Sequence, residues 1–162
     1  MTNYVSFLKK IGLAFGIYTF CRLIFYAFNF NLFQGSFPFD AFFFGIRFDY
    51  VAISYFFLPF IFLSILPTPF NENKFYKFIV KLFFHIGNTF GIILNLIDVG
   101  YYPFSLRRST ADLFQFLSTG NDFGNMLPTY VKYYWFLFFI LIGLIVISEI
   151  FYRKFKNQTT PK

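Results

Sequence analysis

The chain has 162 residues, of which 57% are apolar and 32 are Phe, and it carries a formal net charge of +7. That much oily surface is more than one soluble core of this length can hide, which excludes an ordinary soluble domain and predicts an integral membrane protein. The positive charge does not point to nucleic acid, because the basic residues fall in short clusters at the ends of apolar segments rather than along one face.

Four stretches, 6–29, 41–66, 78–104 and 133–152, reach the roughly 20 residues that about 30 Å of hydrocarbon requires. The expected fold is an all-α membrane protein, a single multi-pass domain of four transmembrane helices plus a short outer interfacial helix. The first segment is too long for a signal-peptide core and no small-x-small site follows it, so no processing is expected. With the N-terminus in the cytoplasm, nine of the 14 basic residues lie inside, among them Lys9, Lys10, Lys74, Lys77, Lys81 and Arg153. Four lie outside, namely Arg47, Arg107, Arg108 and Lys132, and Arg22 stays in the membrane. The positive-inside rule therefore predicts N-in, C-in.

Helix 1 holds Arg22 and the single cysteine, Cys21, read as a small buried apolar residue. A Gly35, Ser36, Pro38 turn leads to Asp40 as N-cap of helix 2, which carries Arg47 and Asp49 and should kink at Pro59. Lys74, Lys77, Lys81 and His85 form one stripe at the inner end of helix 3, with the lysines expected to snorkel to inner-leaflet phosphates. Asn88 and Asn95 share a face further along that helix and read as interhelical glue. Pro103 marks its exit. The extracytoplasmic loop 105–132 opens a short amphipathic helix at Ser109-Thr110-Ala111-Asp112, expected to lie on the outer surface until Gly120. Tyr130, Tyr133, Tyr134 and Trp135 suit an outer aromatic belt before helix 4, and 153–162 is expected to be a cytoplasmic tail.

The candidate site is the set of charges within these oily segments. At 1.5 Å per residue, Arg22 lies roughly 10 Å below the outer end of helix 1, Arg47 and Asp49 about 9 and 12 Å into helix 2, and Asp98 about 9 Å from the outer end of helix 3. Ions at such depth cost several kcal/mol unless they pair or line a wet cavity. Arg47 and Asp49, two residues apart, cannot face each other, so the expected pairs are Asp49 with Arg22 and Arg47 with Asp98, or the swapped set. The cluster reads either as ionic packing or as an outward polar notch for an anionic lipid headgroup, with Arg107 and Arg108 at its mouth and a guanidinium donating two hydrogen bonds to one phosphate.

Gly45-Ile46-Arg47-Phe48-Asp49, preceded by Arg22-Leu23-Ile24-Phe25 and followed by Asn95-Leu96-Ile97-Asp98-Val99-Gly100-Tyr101-Tyr102 and Arg107-Arg108-Ser109-Thr110, resembles the N-terminal membrane region of lipoteichoic acid synthase-like proteins of the alkaline phosphatase and sulfatase superfamily. The resemblance implies a bacterial cytoplasmic membrane and a parent with five membrane helices and a large extracytoplasmic domain. In that domain a divalent metal, Mn or Mg, and a Thr nucleophile would transfer a phosphoglycerol-type or phosphoethanolamine-type group, or hydrolyse an ester. The chain departs from the pattern by stopping at Lys162, so the fifth helix and the catalytic domain are expected beyond it as partners. Within these residues no catalytic or metal-binding set is expected: there is one His, the acids are scattered, and nothing near Thr110 would activate it.

The leading expectation is thus a membrane anchor that presents a lipid headgroup to such an enzyme. The alternatives are a free-standing small membrane subunit that binds partner helices, and a transporter or channel fragment. A transmembrane path would put charges at several depths or interrupt its helices; the sequence points to one layer near the outer face.

Overall fold

In hydrocarbon, backbone groups have no water to bond, so a chain this apolar satisfies them within each segment as helix. The structure is a computed structural model and describes residues 4–33, 39–66, 73–106 and 132–156. Helix α1 spans Tyr4–Phe28 and is followed by a 3-10 turn over Phe30–Phe33; α2 spans Phe39–Phe56, α3 Leu58–Ile65, α4 Lys74–Ser105 and α5 Trp135–Lys156. The chain is a multi-pass, all-helical membrane protein. Helices α1, α4 and α5 are each long and apolar enough to cross; α2 and α3 are so only taken together, and they are bent by 66° at the break between them, as a broken span or a re-entrant loop is.

Several expected boundaries move. Helix α4 starts at Lys74 rather than at residue 78, its first turn capped by the Asn73 side chain accepting from the Phe75 amide at 3.0 Å. Asp40 lies inside the first turn of α2 rather than at its cap. Arg153 and Lys154 continue α5 rather than starting a tail. Pro103 does not end α4, which runs to Ser105 and closes on Leu106 in the left-handed conformation, its amide bonding Tyr102 O. The outer-surface helix, Arg107 and Arg108 fall outside the described residues.

The break comes where Pro59 demands it. Proline has no N–H to offer the carbonyl of Tyr55 and its ring crowds that turn, so the helix stops at Phe56 and restarts with Pro59 in its first turn. The exposed Phe56 carbonyl then leans onto Gly87 of α4, where a Cβ would stand 2.5 Å from the oxygen. Phe57, Phe60 and Phe84 fill the space around the crossing edge to face, with ring centroids 5.4 and 5.2 Å from Phe84.

Helices α1 and α4 pack on each other, and both the α2–α3 span and α5 pack on that pair. Ser6 near the start of α1 donates to Phe155 O near the end of α5 at 2.8 Å, and at the opposite end Phe28 stacks on Phe136. The two helices are therefore antiparallel. Large apolar side chains such as Phe43, Phe62, Phe78 and Phe139 face outward, while the buried set includes Arg22, Asp49, Asn88, Asp98 and Ser148. This arrangement suits a bundle solvated by lipid, with its polar groups turned inward.

Candidate functional site: two buried charge layers joined by polar side chains

On α1 the residues that recur every three or four positions, Ala14, Tyr18, Cys21, Arg22 and Phe25, form the buried stripe. Gly45, Asp49 and Ile53 form the matching inward stripe on α2. Where the stripes meet, the Arg22 guanidinium lies across Gly45, and a Cβ there would stand 2.5 Å from Arg22 Cζ. Its Nη1 donates to Phe42 O at 3.1 Å and its Nη2 donates to Asp49 Oδ2. Both ions are nearly sealed, at 6% and 7% exposure. A buried ion pair of this kind adds little net stability over apolar packing, yet losing one partner costs about 3–5 kcal/mol, so each residue constrains the other.

The expected Arg22–Asp49 pair is thus formed. The expected Arg47–Asp98 pair is not: Arg47 is exposed and Asp98 is buried. The reason is helical phase. Position 47 is two residues, or about 200°, from Gly45, so it leaves the inward stripe on which Asp49 sits. Arg47 therefore faces lipid, where its long stem lets the charge reach toward the interface.

Beside the pair, an open groove of about 420 Å³ runs between α1 and α2, lined by Thr19, Arg22, Phe39, Asp40, Phe42, Phe43 and Ile46. Its walls are aromatic and its polar groups are one guanidinium, one carboxylate and one hydroxyl. Further round, Asn29 Nδ2 reaches Val99 O at 3.4 Å and Phe25 O at 3.0 Å. Val99 O is the acceptor that Pro103, four residues on, leaves without its helical donor. Tyr134 lies flat against Gly100, at 3.4 Å from where a Cβ would be.

A second charge layer, centred on Glu149, sits at the other end of the bundle and was missed in reading the sequence. Lys81 Nζ lies 2.5 Å from Glu149 Oε1 and His85 Nε2 lies 2.8 Å from Oε2. Arg153 Nε also donates to Oε1 from one turn along α5, and Lys10 rests 4.3 Å over the ring of Tyr152. The lysine nearest the core, Lys81, therefore does not simply snorkel. The sequence signal was available: Glu149 precedes Arg153 by four residues, on a span antiparallel to the basic stripe of Lys81 and His85.

Between the layers, Asn88 Nδ2 donates to Ser148 Oγ at 3.0 Å, which is the interhelical glue expected of it, whereas Asn95 donates back to Gly91 O of its own helix at 2.9 Å. Tyr18 projects from α1 over Gly91, where any Cβ would collide with its hydroxyl. Tyr18 Oη and Asn88 Oδ1 are buried without a protein partner. The described residues thus hold buried or half-buried charge at two depths, around Arg22–Asp49 and around Glu149.

Among the described residues no group of three His, Cys, Asp or Glu side chains is placed to hold a metal ion. Compared with protein-family models, with curated proteins and with solved structures, the chain matches none.

Proposed function

We propose that the chain is the membrane-anchoring, lipid-presenting region of a lipoteichoic acid synthase-like transferase or sulfatase-family hydrolase, held N-in, C-in in a bacterial cytoplasmic membrane. The groove between α1 and α2 carries this reading. Phe39, Phe43 and Ile46 offer an acyl chain apolar walls, and Arg22 and Thr19 offer a phosphate its donors. Arg22 is already fixed by Asp49, so the guanidinium is preorganised and a ligand need not order it. Arg47, exposed on the same helix, adds positive potential on the lipid side.

The test is lipid retention. The chain is purified from membranes and its co-purifying phosphatidylglycerol is compared with that of Thr19→Trp, which fills the groove from the α1 side. Retention lost in the variant supports a lipid site; equal retention in both removes it. The enzymatic part is tested separately by sizing the native product on a membrane immunoblot. A species several times 19.3 kDa fits an enzyme's anchor, and one near 19.3 kDa discards it.

A further inference from the structure

We propose that the bundle holds a proton-conducting polar file, running from the Glu149–His85 cluster past Asn88 and Ser148, then Tyr18, to the Asp49–Arg22 pair and out through the α1–α2 groove. This goes beyond the lipid-presenting reading. It shares the groove as an exit but does not need a lipid in it.

The file is built from side chains that an apolar bundle has no packing reason to bury. On α4 the steps are Lys81 and His85, then Asn88, then Gly91, spaced four, three and three residues apart, and so on one stripe. Helix α5 supplies Glu149 and Ser148 opposite the first two steps. At Gly91 the file leaves α4 for α1, because the missing side chain admits the Tyr18 hydroxyl. Tyr18 and Arg22 are one turn apart on the buried stripe of α1, and Arg22 in turn bonds Asp49 across on α2. Along α4, and along α1 from Tyr18 to Arg22, successive steps rise by about one helical turn, roughly 5 Å, a gap that one or two waters span.

The unpartnered atoms have matching polarity. Tyr18 Oη offers a hydroxyl proton and Asn88 Oδ1 offers an acceptor, each on a side chain only 1% exposed. Water entering between the helices would accept from the first and donate to the second, satisfying both groups. In the proposed file such water completes the hydrogen-bonded wire between the side chains.

The outer end gives the file its selectivity. A hydrated proton arriving at Asp49 forms an O–H bond at the carboxylate as the O–H bond of the hydronium breaks, and this neutralises the acid and loosens its hold on Arg22. Return of the guanidinium to Asp49 breaks the carboxylic O–H bond and drives the proton to water on the far side of Arg22, which lines the groove, and this restores the pair. Sodium or potassium cannot neutralise a carboxylate covalently, so each meets the fixed charge of Arg22 and stops. The titratable and charged groups along the way are Lys81, His85, Glu149, Arg153, Tyr152 and Lys10 at one end and Tyr18, Cys21, Asp49, Arg22 and Asp40 at the other.

The experiment is reconstitution of the chain in phosphatidylcholine vesicles loaded with a pH-sensitive dye, with a potassium diffusion potential set by valinomycin. Proton entry faster than in protein-free vesicles is expected, without sodium entry. Asn88→Leu should drop it to the protein-free rate and Asn88→Ser should keep it, both variants being matched to wild type for helicity and monodisperse elution. Asn88→Leu should also leave phosphatidylglycerol retention unchanged, which separates this file from the lipid site. Wild-type flux equal to that of protein-free vesicles, flux in Asn88→Leu equal to wild type, or sodium entering as fast as protons would each overturn the proposal.

Discussion

Gly45 and Arg22 are complementary parts of one joint: the glycine of α2 is the slot in which the guanidinium of α1 lies, and any side chain there would occupy the space of Cζ and Nε. The slot also aligns the guanidinium so that Nη1 meets Phe42 O while Nη2 meets Asp49.

Gly45→Ala should therefore destabilise the bundle by about 1–3 kcal/mol, the usual cost of forcing an atom into a packed interface. Gly12→Ala is the control, since nothing lies within 4 Å of a Cβ at that site. In an exposed helix interior that change should be neutral or stabilising by up to about 1 kcal/mol. Both are read from reversible unfolding in mixed micelles. Equal effects at the two positions would show that the slot does not constrain Arg22.

Removing one member of the ion pair should cost far more than removing both. Asp49→Ala strands a buried guanidinium and is expected to lose about 3–5 kcal/mol, whereas Arg22→Met with Asp49→Leu should recover most of it. A double variant no better than the single one would mean the pair contributes more than mutual neutralisation.

The bond from Asn29 to Val99 O should matter only because Pro103 cannot supply it. Asn29→Leu is expected to cost about 0.6–1.7 kcal/mol, the range for interhelical bonds in membranes. In a Pro103→Ala background the backbone amide gained at that position restores the helical donor, so the same change should cost less. A double-mutant cycle measures the difference, and strictly additive effects would sink the idea.

The helical spans were legible because hydrophobic length and Pro59 each leave a direct mark on sequence, and so was the Arg22–Asp49 pair. What escaped was helical phase and neighbour identity. Arg47 and Asp49 looked alike by depth, and only the inward stripe of Gly45, Asp49 and Ile53 tells them apart. Glu149, one of the scattered acids, takes its meaning only from α5 lying antiparallel to α4, beside Lys81 and His85. Likewise Gly87 and Gly91 carry no signal of their own in sequence. Their meaning comes from the Phe56 carbonyl and the Tyr18 hydroxyl that occupy their missing side chains.

Glu149 provides the last prediction, because one carboxylate holds three nitrogen-bearing groups. Lys81 and Glu149 are only part-exposed, at 35% and 24% of their side-chain surface, while Arg153 is 73% exposed. Glu149→Gln removes the charge but keeps the shape, so Lys81 loses its counter-ion in a site where water screens it poorly, and Arg153 loses little because water already solvates it. Lys81 should then swing to the interface. Its labelling by a membrane-impermeant amine reagent added from the α5 C-terminal side should rise, while that of Lys74 and Lys77, outside the cluster, should not change. If Lys81 labels equally in both forms, Glu149 is not what holds it, and the inner end of the polar file would lose its anchor.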